Sequence, residues 1–359
     1  MTTHITPQRS LIERFGLTVP VIQAPMAGVS TPALAAAVSN AGGLGSLGLA
    51  AMNAAAARTA IEQTRALTSN AFGVNVFCHR PAVDDKRREA DWLAHLAPYF
   101  AEFGATPPTS LRELYTSFLV DDAMLEMLLA ERPAVVSFHF GLPGADRIEA
   151  LKDAGIFLLA SATSLAEAKL IAAAGIDAIV AQGIEAGGHR GVFDTEAPDD
   201  ALPTMALTRT LVKHIDLPII AAGGIMDGAG IAAVMALGAQ AAQMGTAFIS
   251  CPESAADAAY RSALVGHEVI PTTLTKVISG RAARGITNRF TAIGEQPDCP
   301  RLPDYSIVYD AGKALIAAAR AQGNSEFSAQ WAGQAAHLSR GIGASELMQA
   351  LRAELYPAS

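Results

Sequence analysis

Residues 218–246 read PIIAAGGIMDGAGIAAVMALGAQAAQMGT, and the order of their parts decides the fold. The apolar run Pro218–Ala222 ends in two glycines, the Ala-rich segment Asp227–Leu237 stops at a glycine, and a second apolar run spans Ala241–Gly245. A continuous apolar run is typical of a strand buried on both faces, and glycine is common just past the end of a helix. The stretch therefore predicts a strand, a helix and a second, parallel strand.

The same pattern of strand, turn and helix recurs along the chain, with helices such as Pro32–Asn40 and Ser164–Ala174 between the strands. Eight such units within about 250 residues favour a closed α/β barrel, the (β/α)8 TIM barrel, over a doubly wound open sheet. The open sheet stays an alternative at this stage. The predicted strands are Val19–Ala24, Leu44–Leu49, Phe72–Phe77, Ala134–Phe140, Ile156–Ser161, Ala178–Gln182, Pro218–Ala222 and Ala241–Gly245.

Two segments interrupt the repeat and divide the chain. The first, about residues 79–131, is polar and too long for one βα connection, so it predicts a helical excursion of the barrel. The second segment, residues 251–308, follows the eighth strand and predicts a smaller substrate or cap domain. We expect the barrel over residues 12–250 and C-terminal helices over 309–359 that pack back on the barrel.

Composition excludes several classes of protein. The formal net charge is −8 and no Lys or Arg run could neutralise a stretch of phosphates, so nucleic acid is not an expected partner. The apolar runs are too short to cross a membrane, and residues 1–10 contain no apolar signal core. Three scattered cysteines are an odd number for a disulfide framework. We therefore expect a cytoplasmic protein with reduced cysteines.

In a barrel the chemistry lies at the carboxyl ends of the strands. Gly223-Gly224 and Gly245-Thr246 follow the seventh and eighth strands, where backbone N–H groups often bind phosphate, although glycines there can also simply form tight turns. Asn75 and Gln182 end apolar strands and suit the edge of a heterocycle, or alternatively satisfy nearby backbone groups. Together these features indicate a phosphorylated heteroaromatic cofactor, for which FMN is the simplest candidate.

Two histidines lie at or just beyond predicted strand ends. His189 stands in the glycine-rich loop 187–191, and an ordinary imidazole pKa of about 6.5 suits a base or a hydrogen-bond donor; a surface role is the alternative. His139 lies between phenylalanines and is either a satisfied core histidine or a substrate contact. The histidines have no metal-ligand spacing, so no metal is predicted. No lysine ends a predicted strand, which argues against a Schiff-base aldolase.

Four sequence blocks, in order, carry a resemblance over nearly the whole chain. The blocks are QAPMAGVSTP at 23–32, FGVNVFCHRP at 72–81, SFHFG at 137–141 and QGIEAGGHRGVF at 182–193. With them the chain closely resembles class I nitronate monooxygenases, formerly called 2-nitropropane dioxygenases. Elements of the first and last blocks are shared with FMN-dependent enoyl reductases of fatty-acid synthesis, so only the second and third blocks favour class I.

The resemblance implies a TIM barrel that binds FMN non-covalently beneath a smaller substrate domain. His189 matches the family's active-site histidine, and His139 matches a second histidine near the substrate. The tyrosines that look like pocket residues are Tyr115, Tyr260, Tyr305 and Tyr309. The expected cofactor contacts are Ala24, Pro25, Met26, Gly28, Asn75, Gln182, Gly187, Gly188, Gly223, Gly224, Gln243, Met244, Gly245 and Thr246.

The resemblance also implies an activity. Family members oxidise alkyl nitronates with O2 through one-electron transfer and an anionic flavin semiquinone. The expected class I substrate is propionate 3-nitronate, which is detoxified to malonic semialdehyde with nitrite or nitrate. We expect His189, protonated or as an N–H donor, to bind the nitronate oxygens, with His139 and a tyrosine at either end of the substrate. Arg190 and Arg281 are candidate partners of a substrate carboxylate.

Two other functions stay open at this stage. An NAD(P)H-dependent FMN enoyl reductase would use the same cofactor site, and the absence of a second Gly-rich nucleotide fingerprint is weak evidence against it. A barrel that only binds a phosphorylated ligand would have no use for paired histidines at strand ends. Whether the best nitronate carries a carboxylate is also open, and a homodimer is the expectation for the oligomeric state.

Overall fold

A computed structural model describes residues 10–266 and 268–357 and shows a closed ring of eight parallel strands. Residues 1–9, on which most of the signal-core argument rests, lie outside the described residues. The strands are β1 Val21–Gln23, β2 Gly45–Gly48, β3 Phe72–Phe77, β4 Val135–His139, β5 Phe157–Ala162, β6 Ala178–Gln182, β7 Gly188–His189, β8 Ile219–Ala222, β9 Ala241–Met244, β10 Thr272–Thr275 and β11 Ala283–Ile286.

The barrel contains every strand except β7, β10 and β11, in the order β1-β9-β8-β6-β5-β4-β3-β2. Leu44 closes the ring between the two ends of this order: its N–H donates to the Val21 carbonyl and its carbonyl accepts from the Gln23 N–H, both at 2.9 Å. All eight predicted strands and the closed α/β barrel are therefore confirmed, and the open doubly wound sheet is wrong.

Helices alternate with the strands and form the outer layer. Asp227 begins one of them as predicted, because its carboxylate accepts from the Gly230 N–H at 2.8 Å. No helix of the described residues is both long and apolar enough to cross a membrane. The helices are α1 Leu11–Phe15, α2 Pro32–Asn40, α3 Ala54–Leu67, α4 Lys86–Glu102, α5 Asp122–Glu131, α6 Ala145–Asp153, α7 Leu165–Ala173, α8 Thr204–His214, α9 Gly228–Ala236, α10 Thr246–Ile249, α11 Ala258–Leu264, α12 Arg289–Ile293, α13 Ile307–Ala321 and α14 Ala344–Leu355, with a 3-10 turn at Ala336–Leu338.

Alternate residues of each barrel strand pack into two separate apolar layers. Leu159 and Val180 belong to the cluster inside the barrel, whereas Leu158 and Ile179 belong to the cluster between strands and helices. All four are buried. Since both faces of the strands are covered, the strands are continuous apolar runs, which is the pattern that identified them in the sequence.

The excursion between β3 and β4 contains two helices with different partners. Helix α5 contacts α3 and α6 in the outer layer, whereas α4 contacts α13 and buries Trp92 and Phe100 in a cluster with Val308 and Leu315. Helix α14 contacts α2 and α9 of the barrel. A second core, built from segments before β4 and after β9, therefore stands beside the barrel. The boundaries at residues 251 and 309 stay predictions.

Strands β10, β11 and β7 form a small antiparallel sheet that positions the glycine-rich loop after β6. In its register Ala283 faces His189 and Arg284 faces Gly188. The Arg190 N–H donates to the Ala282 carbonyl at 2.8 Å. The backbone of His189 is therefore fixed between the barrel and the segment that follows it.

Candidate active site

A cleft of about 1380 Å³, its open mouth included, lies at the carboxyl ends of the barrel strands. This is the end at which TIM barrels carry their chemistry. All predicted cofactor contacts except Gly28, and all the predicted histidines and tyrosines, line it, whereas the candidate arginines Arg190 and Arg281 do not. The predicted residues that line the cleft are Ala24, Pro25, Met26, Asn75, Tyr115, His139, Gln182, Gly187, Gly188, His189, Gly223, Gly224, Gln243, Met244, Gly245, Thr246, Tyr260, Tyr305 and Tyr309.

Gly28 lies beside the cleft, in the turn that follows Met26. The N–H groups of Val29 and Ser30 both donate to the Met26 carbonyl, at 3.0 and 2.8 Å. The φ angle of Gly28 is 76°, in the left-handed region where glycine has no steric penalty. The turn accounts for this glycine without a ligand.

Close contact between backbone segments explains two other glycines of the cleft. A Cβ atom on Gly187 would lie 2.6 Å from the Ala332 carbonyl carbon, and one on Gly333 would lie 2.8 Å from the Glu185 carbonyl oxygen. The Gly333 N–H also donates to Thr246 Oγ1 at 3.0 Å. The segment after α13 therefore packs directly on the loops that follow β6 and β9. Gly333 was not predicted, because it follows no barrel strand.

The two strand-end amides differ in what they leave for a ligand. Gln182 uses both ends of its amide within the protein: Nε2 donates to the His189 carbonyl at 2.9 Å, and Oε1 accepts from the Gly191 N–H at 2.7 Å. Asn75 Nδ2 donates to the carbonyl and the hydroxyl of Ser137 at 3.0 and 2.9 Å. The side-chain oxygen of Asn75, Oδ1, accepts no hydrogen bond from the described residues. Gln182 therefore holds the histidine loop, and Asn75 keeps an acceptor for a ligand.

His189 is a neutral imidazole held by a serine. Its Nε2 lies 2.8 Å from Ser279 Oγ. Burial, together with the charges of His139, Arg281 and His79, lowers the pKa of His189 to about 3. At neutral pH the ring of the free site is therefore uncharged, and the expectation that it is protonated beside a bound nitronate stays a prediction. The expectation of an N–H donor is compatible with this site.

His139 has both ring nitrogens engaged by the protein. Nε2 lies 3.1 Å from the His189 carbonyl oxygen and Nδ1 lies 3.0 Å from Ser161 Oγ. Since a carbonyl can only accept, Nε2 carries the proton and Nδ1 accepts from the serine hydroxyl. Burial lowers the pKa of His139 to about 4. Although the ring lines the cleft, its hydrogen bonds hold the His189 loop.

Three of the predicted tyrosines form an aromatic wall around His189. The ring centroids of Tyr115 lie 5.7 Å from Tyr309 and 6.3 Å from Tyr305, and Tyr305 lies 5.6 Å from His189. The Tyr305 hydroxyl is buried without a hydrogen-bond partner among the described residues. Burial raises the pKa of Tyr305 well above its usual range, so the hydroxyl stays protonated. It is available to donate to a ligand.

Trp331 is a cleft residue that the sequence reasoning missed. Its ring centroid lies 5.3 Å from that of His189. The Tyr260 hydroxyl donates to the Trp331 carbonyl. Trp331 lies in an irregular segment outside the quoted blocks, so its rarity in the chain, as one of two tryptophans, was the only available signal.

Arg190 is not available to a substrate. Its Nε and Nη2 bind the Asp199 carboxylate at 2.7 and 2.9 Å, and Nη1 donates to the Gln182 carbonyl at 2.5 Å. The expectation that it partners a substrate carboxylate is therefore wrong. Within residues 10–266 and 268–357 no group of three or more His, Cys, Asp or Glu residues is placed to hold a metal ion.

A closed (β/α)8 barrel with a ligand cleft at its strand ends defines a TIM-barrel enzyme. Comparison with known proteins narrows the class. The model of the nitronate monooxygenase family matches residues 8–354. The chain belongs to the nitronate monooxygenase family and is an oxidoreductase, which confirms the resemblance.

Individual relatives agree with this assignment. A nitronate monooxygenase of Paraburkholderia phytofirmans is 62% identical over 98% of this chain and 96% of its own length. Among solved structures, nitroalkane oxidase from Streptomyces ansochromogenes has a TM-score of 0.87 at 38% identity, covering 97% of this chain and 98% of that one. FabK from Thermotoga maritima has a TM-score of 0.72 at 28% identity, covering 97% and 96%. Similarity is therefore higher to the nitroalkane oxidase than to FabK.

Proposed function

We propose that this enzyme oxidises alkyl nitronates with O2 at an FMN bound in the cleft. Its substrate is propionate 3-nitronate, converted to malonic semialdehyde with nitrite or nitrate as a detoxification. The observation that carries the proposal is the match to the nitronate monooxygenase family, together with the His189 ring held in the cleft 2.8 Å from Ser279 Oγ. Burial also lowers the pKa of this ring to about 3. An imidazole with this pKa is a weak base, poorly suited to removing a proton from a neutral nitroalkane. A nitronate has already lost that proton.

The residues of the cleft fit FMN. The left-handed Gly223 and Gly224 after β8, with φ of 122° and 69°, and Gly245-Thr246 after β9 offer backbone N–H groups to a phosphate. Oδ1 of the Asn75 side chain is an acceptor for the N–H edge of a heterocycle. FMN would supply the electron acceptor and the reaction with O2, which no side chain of the cleft supplies.

The side chains of the cleft bind and orient the nitronate. The Ser279 hydroxyl has one proton and two neighbours, His189 Nε2 at 2.8 Å and the Arg281 carbonyl at 3.2 Å. When the hydroxyl donates to the nearer Nε2, the proton of the neutral ring is on Nδ1, which can then donate to a nitronate oxygen. The buried Tyr305 hydroxyl is a second donor. Tyr309 and Trp331 complete an apolar wall that limits the access of water to the reacting atoms.

The one cation against the aromatic wall among the described residues does not discriminate between nitronates. Lys313 Nζ lies 5.0 Å from the ring centroid of Tyr115 and 5.1 Å from that of Tyr309. Its side chain is exposed and lines a neighbouring cavity, not the cleft. The choice of propionate 3-nitronate over a simple alkyl nitronate therefore rests on the family resemblance.

The proposal is tested by titrating the purified protein with propionate 3-nitronate without O2, following the visible flavin spectrum, and then admitting air. We expect the nitronate to change the flavin spectrum as one electron is transferred, and air to restore it with release of malonic semialdehyde and of nitrite or nitrate. Protein that cannot be loaded with FMN, or a flavin spectrum unchanged by the nitronate, would refute the proposal.

Two further assays on the same purified protein distinguish the alternative functions. Steady oxidation of NAD(P)H with an enoyl thioester, without turnover of the nitronate, would favour the enoyl reductase. A full load of cofactor with no turnover of either substrate would favour a ligand-binding barrel. The higher identity of the nitronate monooxygenase relative favours the first function over both.

The location, the oligomeric state and the partners of the enzyme are part of the proposal. We propose that it works in the cytoplasm as a homodimer, with the nitronate and O2 as its partners, and without nucleic acid, membrane or metal. We also propose that residues 251–308 act as a cap domain over the barrel of residues 12–250. Light scattering of the purified protein measures the oligomeric state directly.

A further inference from the structure

Arg281 is a buried cation without a carboxylate partner within salt-bridge distance among the described residues. Its exposed fraction is 6%. Nη2 donates to the Val192 carbonyl, whereas Nε is buried and has no hydrogen-bond partner. Buried charges in proteins are normally paired, because removing an ion from water is costly. The missing partner therefore needs an explanation.

Arg281 lies directly behind the histidines of the cleft. Its Cζ is 4.1 Å from the ring centroid of Phe140, and that ring lies 4.5 Å from His139 and 5.7 Å from His189. Phe140 has a φ of 73°, a left-handed value that is rare for a bulky residue. Ser279 Oγ also links the Arg281 carbonyl, at 3.2 Å, to His189 Nε2, at 2.8 Å. The guanidinium and the two imidazoles therefore form one packed unit.

The neighbouring groups compensate this charge only in part, because the nearest carboxylate of the described residues lies beyond salt-bridge distance. Glu167 is close enough to favour the charged guanidinium, but its two carboxylate oxygens accept from the Thr163 and Phe193 backbone N–H groups. Burial lowers the pKa of Arg281 only to about 10, so it is protonated at neutral pH.

The histidines around Arg281 carry no charge of their own at neutral pH. Burial and the guanidinium both lower the pKa values of His79, His139 and His189, to between about 3 and about 4. The carboxylate of Glu113 lies behind His79, 3.8 Å from its Nε2. The fixed charge on the histidine side of the cleft is therefore positive.

We propose that Arg281 is a positioning residue whose fixed positive charge draws the anionic substrate against His189, acting through its field across Phe140 and the imidazoles rather than by contact. The identity of the anion rests on the proposed function. His189 and Tyr305 supply directional hydrogen bonds, and Arg281 supplies the charge that these neutral groups lack. The aromatic rings around it keep solvent away, so its field is weakly screened. The bound anion then acts as the missing counter-charge.

The test compares an inert anion with a neutral molecule of the same shape. Isothermal titration calorimetry with propionate and with propionamide, on cofactor-loaded protein at pH 7, measures the preference for the anion. We expect the wild-type protein to prefer propionate and Arg281→Gln to lose about tenfold or more in affinity for propionate, since one charge is removed from a low-dielectric site. Its affinity for propionamide should stay within about twofold, because only the charge interaction is lost.

Two further variants separate charge from structure. Arg281→Lys retains the charge and should keep most of the preference. Arg284→Gln removes an equally buried arginine, 6% exposed, whose Nε donates to the Ile184 carbonyl at 3.0 Å, and it should leave the preference unchanged. Cofactor absorbance and thermal unfolding confirm that each variant is folded.

The proposal is overturned if wild-type protein binds both probes equally, a result that needs no variant to fold. It is also overturned if Arg281→Gln weakens both probes alike or neither. Because the probes do not react, the outcome is independent of turnover. The protein could show an anion preference that depends on Arg281 and yet fail to oxidise nitronates. That result would refute the proposed function but support the proposed role of the Arg281 charge in anion binding.

Discussion

Replacing Ser279 with alanine removes the hydroxyl that holds the active-site histidine. Ser279 is 1% exposed, and its Oγ lies 2.8 Å from His189 Nε2 and 3.2 Å from the Arg281 carbonyl oxygen. The hydroxyl has one hydrogen, so it donates either to the imidazole or to the carbonyl. Only the first arrangement leaves the His189 proton on Nδ1, and in the variant nothing favours that form.

The size of the effect follows from the hydrogen bond that is lost to the substrate. A hydrogen bond to a charged group contributes about 1.5–3 kcal/mol, whereas one between neutral groups contributes about 1 kcal/mol. At about 1.4 kcal/mol for each factor of ten, Ser279→Ala should lower kcat/KM for the nitronate by about 10- to 100-fold. The free energy of unfolding should fall by only about 1 kcal/mol, because the Ser279 bond itself joins neutral groups.

Ser161→Ala is the matched control. It removes a hydroxyl 3.0 Å from Nδ1 of the neighbouring His139. His139 keeps its bond to the His189 carbonyl through Nε2, and its proton position does not change. We therefore expect a similar loss of stability and a decrease in kcat/KM of less than about tenfold, since only a neutral hydrogen bond is removed.

The assay is O2 consumption with propionate 3-nitronate at several pH values, on variants matched for cofactor content. Urea denaturation gives the two free energies of unfolding. If Ser279→Ala keeps the wild-type kcat/KM, the proposal that Ser279 fixes the proton position of the His189 ring is refuted. Equal losses in both variants would show that the hydroxyls support the loop as a whole and do not set the proton position of one ring.

Three other substitutions or conditions test the rest of the site. His189→Asn should lower nitronate turnover by about 100-fold or more while the cofactor absorbance stays near wild type; unchanged turnover would remove its catalytic role. Gly187→Ala places a Cβ 2.6 Å from the Ala332 carbonyl carbon, so the cofactor load should fall and urea denaturation should show a loss of about 1–3 kcal/mol. The pKa values of His79, His139 and His189 lie below the ordinary 6.5, so these rings favour the folded state above that pH. Stability should be lost as pH falls from about 6.5 towards 4, and equal urea midpoints at pH 7 and pH 5 would contradict this.

The barrel could be predicted because its strands obey a local rule. A strand such as Ala178–Gln182 is covered on both faces, so burial alone fixes its composition and the sequence shows it as a continuous apolar run. The residues that end such strands then lie together at one edge of the ring. The positions of Asn75 and Gly223 at or just after strand ends were therefore enough to predict that both line the cleft.

The roles of the same residues depend on non-local partners. Gln182 ends a strand as predicted, yet its amide binds the His189 loop instead of facing an empty edge, because β7 pairs with a strand almost a hundred residues further on. Trp331 reaches the cleft through Tyr260, which belongs to a short helix after the barrel. No local pattern encodes such contacts between distant segments.

The charge of the site also depends on non-local partners that the sequence does not reveal. In the sequence His189 carries the ordinary pKa of an exposed imidazole, which makes it a candidate cation at the substrate. In the fold, burial and three neighbouring groups that carry or can carry a positive charge lower that pKa to about 3, and the guanidinium of Arg281 remains as the charge behind it. A protonated histidine would gain or lose its charge as pH varied around neutrality, whereas an arginine does not. An enzyme that must bind an anion with a neutral hydrogen-bond donor can therefore separate the two tasks, with direction from His189 and charge from Arg281.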